Sequence, residues 1–239
     1  MKKSNLIYIL PNLFTASSIF VGVISIVEAS KGHFILAAWL VLLALVFDGL
    51  DGRVARMTNT TSQFGVEFDS LADIISFGIA PAMLLYFFIG HEFGRFGILV
   101  SALYVIFGAI RLARFNISTA KTDPNVFIGL PIPTAAVFLS MWVLLFNKYT
   151  LQEYSIVLLF LALGVALLMV SNFRYPSFKK IELDRPMVFK TMIALMIVAS
   201  LLYLFSAEGF AIIILAYTLF GPLRALRYLN IRNIKIKKN

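Results

Sequence analysis

The chain has 239 residues, 60% of them hydrophobic and only 14% charged, with a mean hydropathy of +0.90. Soluble domains average about 45–50% apolar and about 25% charged residues, so this composition excludes a water-soluble fold and makes lipid the natural solvent. There is no cysteine and histidine occurs only at 33 and 91, which excludes disulfides, thiolate metal sites and a histidine-rich metal site; a metal here would be held by oxygen, as Mg²⁺, Mn²⁺ or Ca²⁺ are.

About 20 helical residues cross a bilayer core, and apolar stretches of that length predict eight helices, over 12–29, 34–56, 64–90, 96–117, 131–147, 153–172, 188–205 and 208–227. Met1-Lys2-Lys3 before an apolar run has the look of a signal peptide. Pro11-Asn12 interrupts that run and no convincing small-residue cleavage site follows, so a retained first helix is expected. Gly129 to Pro133 reads as the entry to the fifth helix, where proline is tolerated. A charged stretch holding Pro176 and Pro186 separates the sixth and seventh spans, and Glu208-Gly209 reads as a tight turn before the eighth. The fold class is therefore all-α, a single polytopic membrane domain over 1–239.

With the N-terminus inside, the external connections hold only Lys31, Arg95 and Lys148 of the 21 lysines and arginines. That bias predicts both ends in the cytoplasm. The net charge of +9 then belongs to the inner leaflet, and the basic tail, 228–239, is expected on anionic lipids and not on nucleic acid. Two glycosylation sequons, at Asn59 and Asn116, fall on the cytoplasmic side and read as chance matches.

Where the second and third helices meet the cytoplasm the chain reads DGLDGRVARMTNTTSQFGVEFDSLAD, residues 48–73. An aspartate at a span centre costs roughly 2.5–3.5 kcal/mol on insertion, less near the interface; four of them in otherwise apolar helices point to function. Asp48 and Asp51 are i,i+3, and Asp69 and Asp73 are i,i+4, so each pair shares one helix face. If the helices pack side by side, four carboxylates converge. Without a cation they repel and must take up protons; with one or two divalent ions they form an oxygen-ligand site suited to displacement at phosphorus. Gly49, Gly52, Ala55 and Gly65 allow close approach of backbone to backbone or of a nucleotide to the helix, and Arg53 and Arg56 can meet phosphate.

These positions match the signature of the CDP-alcohol phosphotransferases, D-x2-D-G-x2-A-R-x8-G-x3-D-x3-D, with every interval intact from Asp48 to Asp73. Four further stretches, LPNLFT at 10–15, FDSLADIISFGIAPA at 68–82, RLARFN at 111–116 and GLPIPTAA at 129–136, resemble the serine-using branch of that family, the phosphatidylserine synthases. The resemblance implies a six-helix core with two additional helices, and a homodimer. It implies that Asp48, Asp51, Asp69 and Asp73 bind two divalent ions, Mg²⁺ or Mn²⁺, with Asp73 also the general base, in a protein of a bacterial-type inner membrane. It further implies that Gly52, Ala55, Arg56 and Gly65 line a CDP site, with CDP-diacylglycerol as donor, L-serine as acceptor, and phosphatidylserine and CMP as products.

Serine is a zwitterion, so its carboxylate calls for a cation. Arg111 and Arg114, i,i+3 at the end of the fourth span, are the candidates, with Asn116 just after; snorkelling to headgroups is the competing role for both arginines. Ser76, i+3 from Asp73, flanks the acidic cluster and is a further candidate to orient the amino acid. Glu67 also flanks the cluster. Two other functions compete with serine transfer. A sister enzyme using glycerol 3-phosphate or an inositol phosphate would need extra cationic groups near the cluster. An ion-coupled transporter would carry internal repeats and a midplane site, and neither is legible here.

Overall fold

The computed structural model describes residues 3–118, 126–176 and 207–225. The described chain is helical almost throughout: α1 (Lys3–Ser30), α2 (Phe34–Met57), α3 (Gln63–Phe88), α4 (Gly94–Ser118), α5 (Ile132–Lys148), α6 (Ser155–Val170) and α7 (Ala207–Ala225). Six of these regions are long and apolar enough to cross a bilayer, which makes the chain a multi-pass membrane protein; α5 is apolar but shorter, at 17 residues. The span expected at 188–205 and the basic tail lie outside the described residues.

α1 and α2 form a hairpin that turns at Gly32, whose φ of 85° suits glycine. Fully buried Ala37, Ala38, Val41 and Ala44 let α2 approach α1 closely, and Ser25 donates to the Ala37 carbonyl at 2.8 Å. The first helix starts at Lys3 and not at 12, running straight through Pro11. A proline removes one amide donor and disfavours the preceding turn; packing along a partner helix outweighs that local preference.

α5 is the most enclosed helix, with Ala135, Ala136, Leu139 and Met141 at its buried centre. Its entry follows the sequence expectation: Pro131 is the N-cap residue and Pro133 lies in the first turn. Gly129, at φ 78°, lets the chain turn into it, and a Cβ there would fall 2.3 Å from the Met169 carbonyl oxygen. Just before this turn Val126–Ile128 pairs antiparallel with Arg174–Pro176, with Phe127 opposite Tyr175. These strands were not predicted; three residues are too few to show a two-residue period.

α7 docks on that ribbon. The Tyr175 hydroxyl donates to the Thr218 carbonyl at 3.0 Å, Tyr217 donates to the Pro176 carbonyl at 3.1 Å, and a Cβ on Gly221 would fall 2.5 Å from the Tyr175 ring. At the opposite end Glu208 accepts from Lys148 and, at 2.6 Å, from Tyr149. Glu208 and Gly209 are helical, within α7, and do not form the expected tight turn.

Candidate active site

The signature residues fall where α2 ends and α3 begins, joined by a short loop whose Asn59 takes a left-handed φ of 53°. Ser62 caps α3 by accepting from the Gly65 amide at 3.0 Å. Because the paired aspartates share one face of each helix, side-by-side packing brings them together. One carboxylate oxygen from each of Asp48, Asp51 and Asp69 lies within 4.8 Å of the others. Asp73 lies one turn deeper, outside that triad and an electrostatic neighbour of Asp48. Its Oδ1 is buried and has no hydrogen-bond partner among the described residues.

Crowded carboxylates need protons or a cation between them. Three convergent oxygens and a buried, unpartnered fourth are a hard-ligand set, and they fit a divalent ion of the Mg²⁺ or Mn²⁺ kind. Asp51 is held from behind: Thr15 of α1 donates to its Oδ2 at 2.7 Å. Such bonds orient metal ligands from behind.

Beside the triad opens a cleft of about 190 Å³, bounded by α1, α2, the 58–62 loop and the start of α3. Gly52, Ala55, Arg56 and Gly65, the four residues expected to bind CDP, all line it together with Asp51 and Asp69. A Cβ on Gly52 would meet nothing nearer than Arg56 Nη1 at 3.8 Å, so this glycine opens space in the cleft. Gly65 serves contact instead: a Cβ there would lie 3.2 Å from Ser62 Oγ and 3.6 Å from Asn12 Oδ1. Ser62, Gly65 and Val66 at the N-terminus of α3 line this space, where the positive end of the helix dipole suits phosphate. Arg53, by contrast, is exposed and does not line the cleft.

The four acceptor candidates separate. Arg111 is buried, its Nε has no hydrogen-bond partner among the described residues, and it is an electrostatic neighbour of Asp73; its guanidinium also stacks 5.1 Å from the Phe115 ring centre. Arg114 points the other way. Its Nη1 donates to the Val170 carbonyl at 3.1 Å and to Asn172 Oδ1 at 3.3 Å, and its Nη2 to the carbonyls of Ile128, Met169 and Ser171 at 3.1, 3.2 and 3.0 Å. It caps the end of α6 and fastens the ribbon. Asn116, exposed, donates to Ser70 Oγ at 2.9 Å. Ser76 is wholly buried against α1, 3.1 Å from Ser18 Oγ, and does not face the cleft.

The model of the CDP-alcohol phosphatidyltransferase family matches residues 8–170, about two thirds of the chain, and the whole acidic cluster falls within that stretch. The chain belongs to this family. Among curated CDP-alcohol phosphatidyltransferase relatives, it is 54% identical to the CDP-diacylglycerol–serine O-phosphatidyltransferase of Helicobacter pylori over 93% of both chains. It is 37% identical to the enzyme of the same name from Methanocaldococcus jannaschii, over 79% of this chain and 83% of that one. An archaetidylserine synthase of Methanothermobacter thermautotrophicus is 40% identical over 73% of this chain and 72% of its own.

Sequence reasoning left out several groups at this CDP-alcohol phosphatidyltransferase site. Asn12 and Thr15 of α1 and Thr60, Thr61 and Ser62 of the loop all line the cleft. A signal for them existed: Asn12 and Thr15 lie in the family-like LPNLFT stretch, and the loop residues stand between the two aspartate pairs. What their polarity did not disclose is that α1 packs against that end of α2 and α3.

Proposed function

We propose that the chain is an integral-membrane enzyme that transfers the phosphatidyl group of CDP-diacylglycerol to the hydroxyl of L-serine, giving phosphatidylserine and CMP. One observation carries this reading. The chain is 54% identical, over 93% of both chains, to a CDP-diacylglycerol–serine O-phosphatidyltransferase, and its convergent carboxylates beside a glycine-lined cleft supply the groups that this transfer needs.

The chemistry follows from those groups. A serine hydroxyl is a poor nucleophile near neutral pH, so a nearby carboxylate must take its proton. Asp73, buried with an unpartnered oxygen, is assigned that role. The serine oxygen forms a bond to the lipid-bearing phosphorus, the bond from that phosphorus to CMP breaks, and the proton passes from serine to Asp73. Asp48, Asp51 and Asp69 would hold divalent cations, Mg²⁺ or Mn²⁺ and two in number, with Asp73 within reach as a further ligand. Bound there, such ions supply positive charge against the pyrophosphate and the departing CMP.

Gly52, Ala55 and Gly65 leave room for the nucleotide, and Arg56 meets its phosphates. Arg111 takes the serine carboxylate, because it is the one acceptor candidate whose cation lies beside Asp73 without a full set of partners. Asn116 and Ser76 are not assigned to the acceptor, and Arg114 is assigned to structure. The lipid tails stay in the bilayer while the headgroup reacts at the cytoplasmic end of the bundle, in a protein oriented with both termini inside and active as a homodimer. The tail at 228–239 adds attraction to anionic lipid.

The test is CMP release from CDP-diacylglycerol by detergent-purified protein with Mg²⁺ or Mn²⁺, across a panel of acceptors. Serine-dependent release, with a new aminophospholipid and loss on adding EDTA, is expected. Release only with glycerol 3-phosphate or an inositol phosphate would keep the family and replace the acceptor. No release with any acceptor from folded protein would reject the enzyme reading.

A further inference from the structure

α3 leaves α geometry at one place, immediately after Asp73. Ile74–Ile79 form a π turn, which the Ala80 amide closes by donating to the Ile75 carbonyl. A π turn accommodates one extra residue in the helix, and one residue is about 100° of rotation. It therefore changes the facing of everything before it relative to everything after. After it, Ala80, Leu84, Leu85 and Phe88 are buried in the core; before it, Asp69 and Asp73 face the aspartates of α2. In an unbroken α-helix, the register that buries the first set would swing Asp73 away from Asp48.

The turn has a local cause and a tertiary lock. In an α-helix the Phe77 carbonyl would receive the amide of residue 81, but residue 81 is proline and has none. Tyr104 of α4 supplies the donor: its hydroxyl gives a 3.2 Å hydrogen bond to the Phe77 carbonyl, and both residues are fully buried. α1 closes on the other side. Gly22 leaves room for it, since a Cβ there would lie 3.1 Å from Ser76 Cα, and Ser18 Oγ lies 3.1 Å from Ser76 Oγ and 3.2 Å from the Ala44 carbonyl oxygen.

We propose that Tyr104 is a positioning residue for the transfer: by satisfying the carbonyl that Pro81 leaves without a donor, it fixes the π turn and so aims Asp73 at the reacting hydroxyl. The inference rests on the assignment of Asp73 as base. Tyr104 itself touches neither the cleft nor the triad, so its loss should alter the chemical step and spare binding.

Tyr104→Phe keeps the ring and removes only the donor. In the serine-dependent CMP-release assay, its kcat should fall about tenfold, with the KM values for serine and CDP-diacylglycerol within twofold of native. Mn²⁺ binding to the triad without substrates, followed by electron paramagnetic resonance, should also stay within twofold. Pro81→Ala returns an amide donor to the Phe77 carbonyl and removes the local cause of the turn, so whatever it costs alone, adding Tyr104→Phe to it should change kcat by less than about twofold. A native kcat in Tyr104→Phe, or a loss that Pro81→Ala leaves untouched, would overturn the proposal. Should Tyr104→Phe not purify folded, the double variant decides: folded with the kcat of Pro81→Ala supports the link, while unfolded, or folded with a kcat well below that of Pro81→Ala, refutes it. Asp73→Asn, measured alongside, separates the two assignments. If it turns over normally, the base is wrong whatever Tyr104 does; if it is inactive while Tyr104→Phe is native, only the positioning role fails.

Discussion

Replacing Arg114 by alanine tests whether this arginine serves the substrate or the fold. Its two terminal nitrogens make five contacts: three to the carbonyls of residues 169–171 at the end of α6, one to the Ile128 carbonyl and one to Asn172 Oδ1. The last carbonyls of a helix have no intrahelical donor, and one cation here serves a helix end and a strand together. Two terminal nitrogens carry four hydrogens, so five contacts include at least one shared hydrogen and cannot be counted at full strength. A hydrogen bond to a charged group contributes about 1.5–3 kcal/mol. Taking two well-formed bonds as the net loss, with water reaching the half-buried remainder, gives about 3 kcal/mol. For a chain of this size that corresponds to a fall in Tm on the order of 6–12 °C. Arg114→Lys should recover little, because a single ammonium does not reproduce the forked geometry. The assay is thermal unfolding in detergent, paired with KM for serine and for CDP-diacylglycerol below the transition. The expected result is a large fall in Tm with both KM values within about twofold. A native Tm together with a selective tenfold rise in serine KM would refute the structural role and return Arg114 to the acceptor site.

Arg111→Ala should do the reverse, raising serine KM at least tenfold and leaving that of CDP-diacylglycerol nearly unchanged; equal rises in both would remove Arg111 from the acceptor pocket. Asp73→Asn should abolish CMP release while donor binding, read by equilibrium binding of a CDP-diacylglycerol analogue, persists; normal turnover would end its assignment as base. Asp51→Ala should weaken Mn²⁺ binding, measured by electron paramagnetic resonance without substrates, by about 10- to 100-fold or more; unchanged affinity would contradict the triad. Gly52→Ala should have opposite effects on stability and binding. Alanine is the better helix former by about 1 kcal/mol and meets open space, so Tm should rise, yet the methyl group enters the cleft and donor KM should rise too; an unchanged KM would show that the nucleotide does not use this surface.

The sequence alone determined whatever depends on composition and on spacing along one helix. Apolar stretches placed the described spans to within a few residues, apart from the start of α1 and the short strands. The intervals 48–51 and 69–73 put each aspartate pair on one face, because 3.6 residues per turn is a local property of the backbone. What spacing does not state is how one helix is turned against another. RLARFN contains two arginines three residues apart, and only packing distinguishes Arg111 beside Asp73 from Arg114 at the end of α6. Thr15 reads as one more polar residue in an apolar helix until α1 lies along α2 and its hydroxyl reaches Asp51. The π turn after Asp73 has a visible cause in Pro81, but its lock comes from Tyr104 on another helix. Hydrogen bonds within a helix are set by neighbours in sequence, whereas the bonds from Tyr104 to the Phe77 carbonyl and from Thr15 to Asp51 join residues 27 and 36 positions apart, which only the tertiary structure brings into contact.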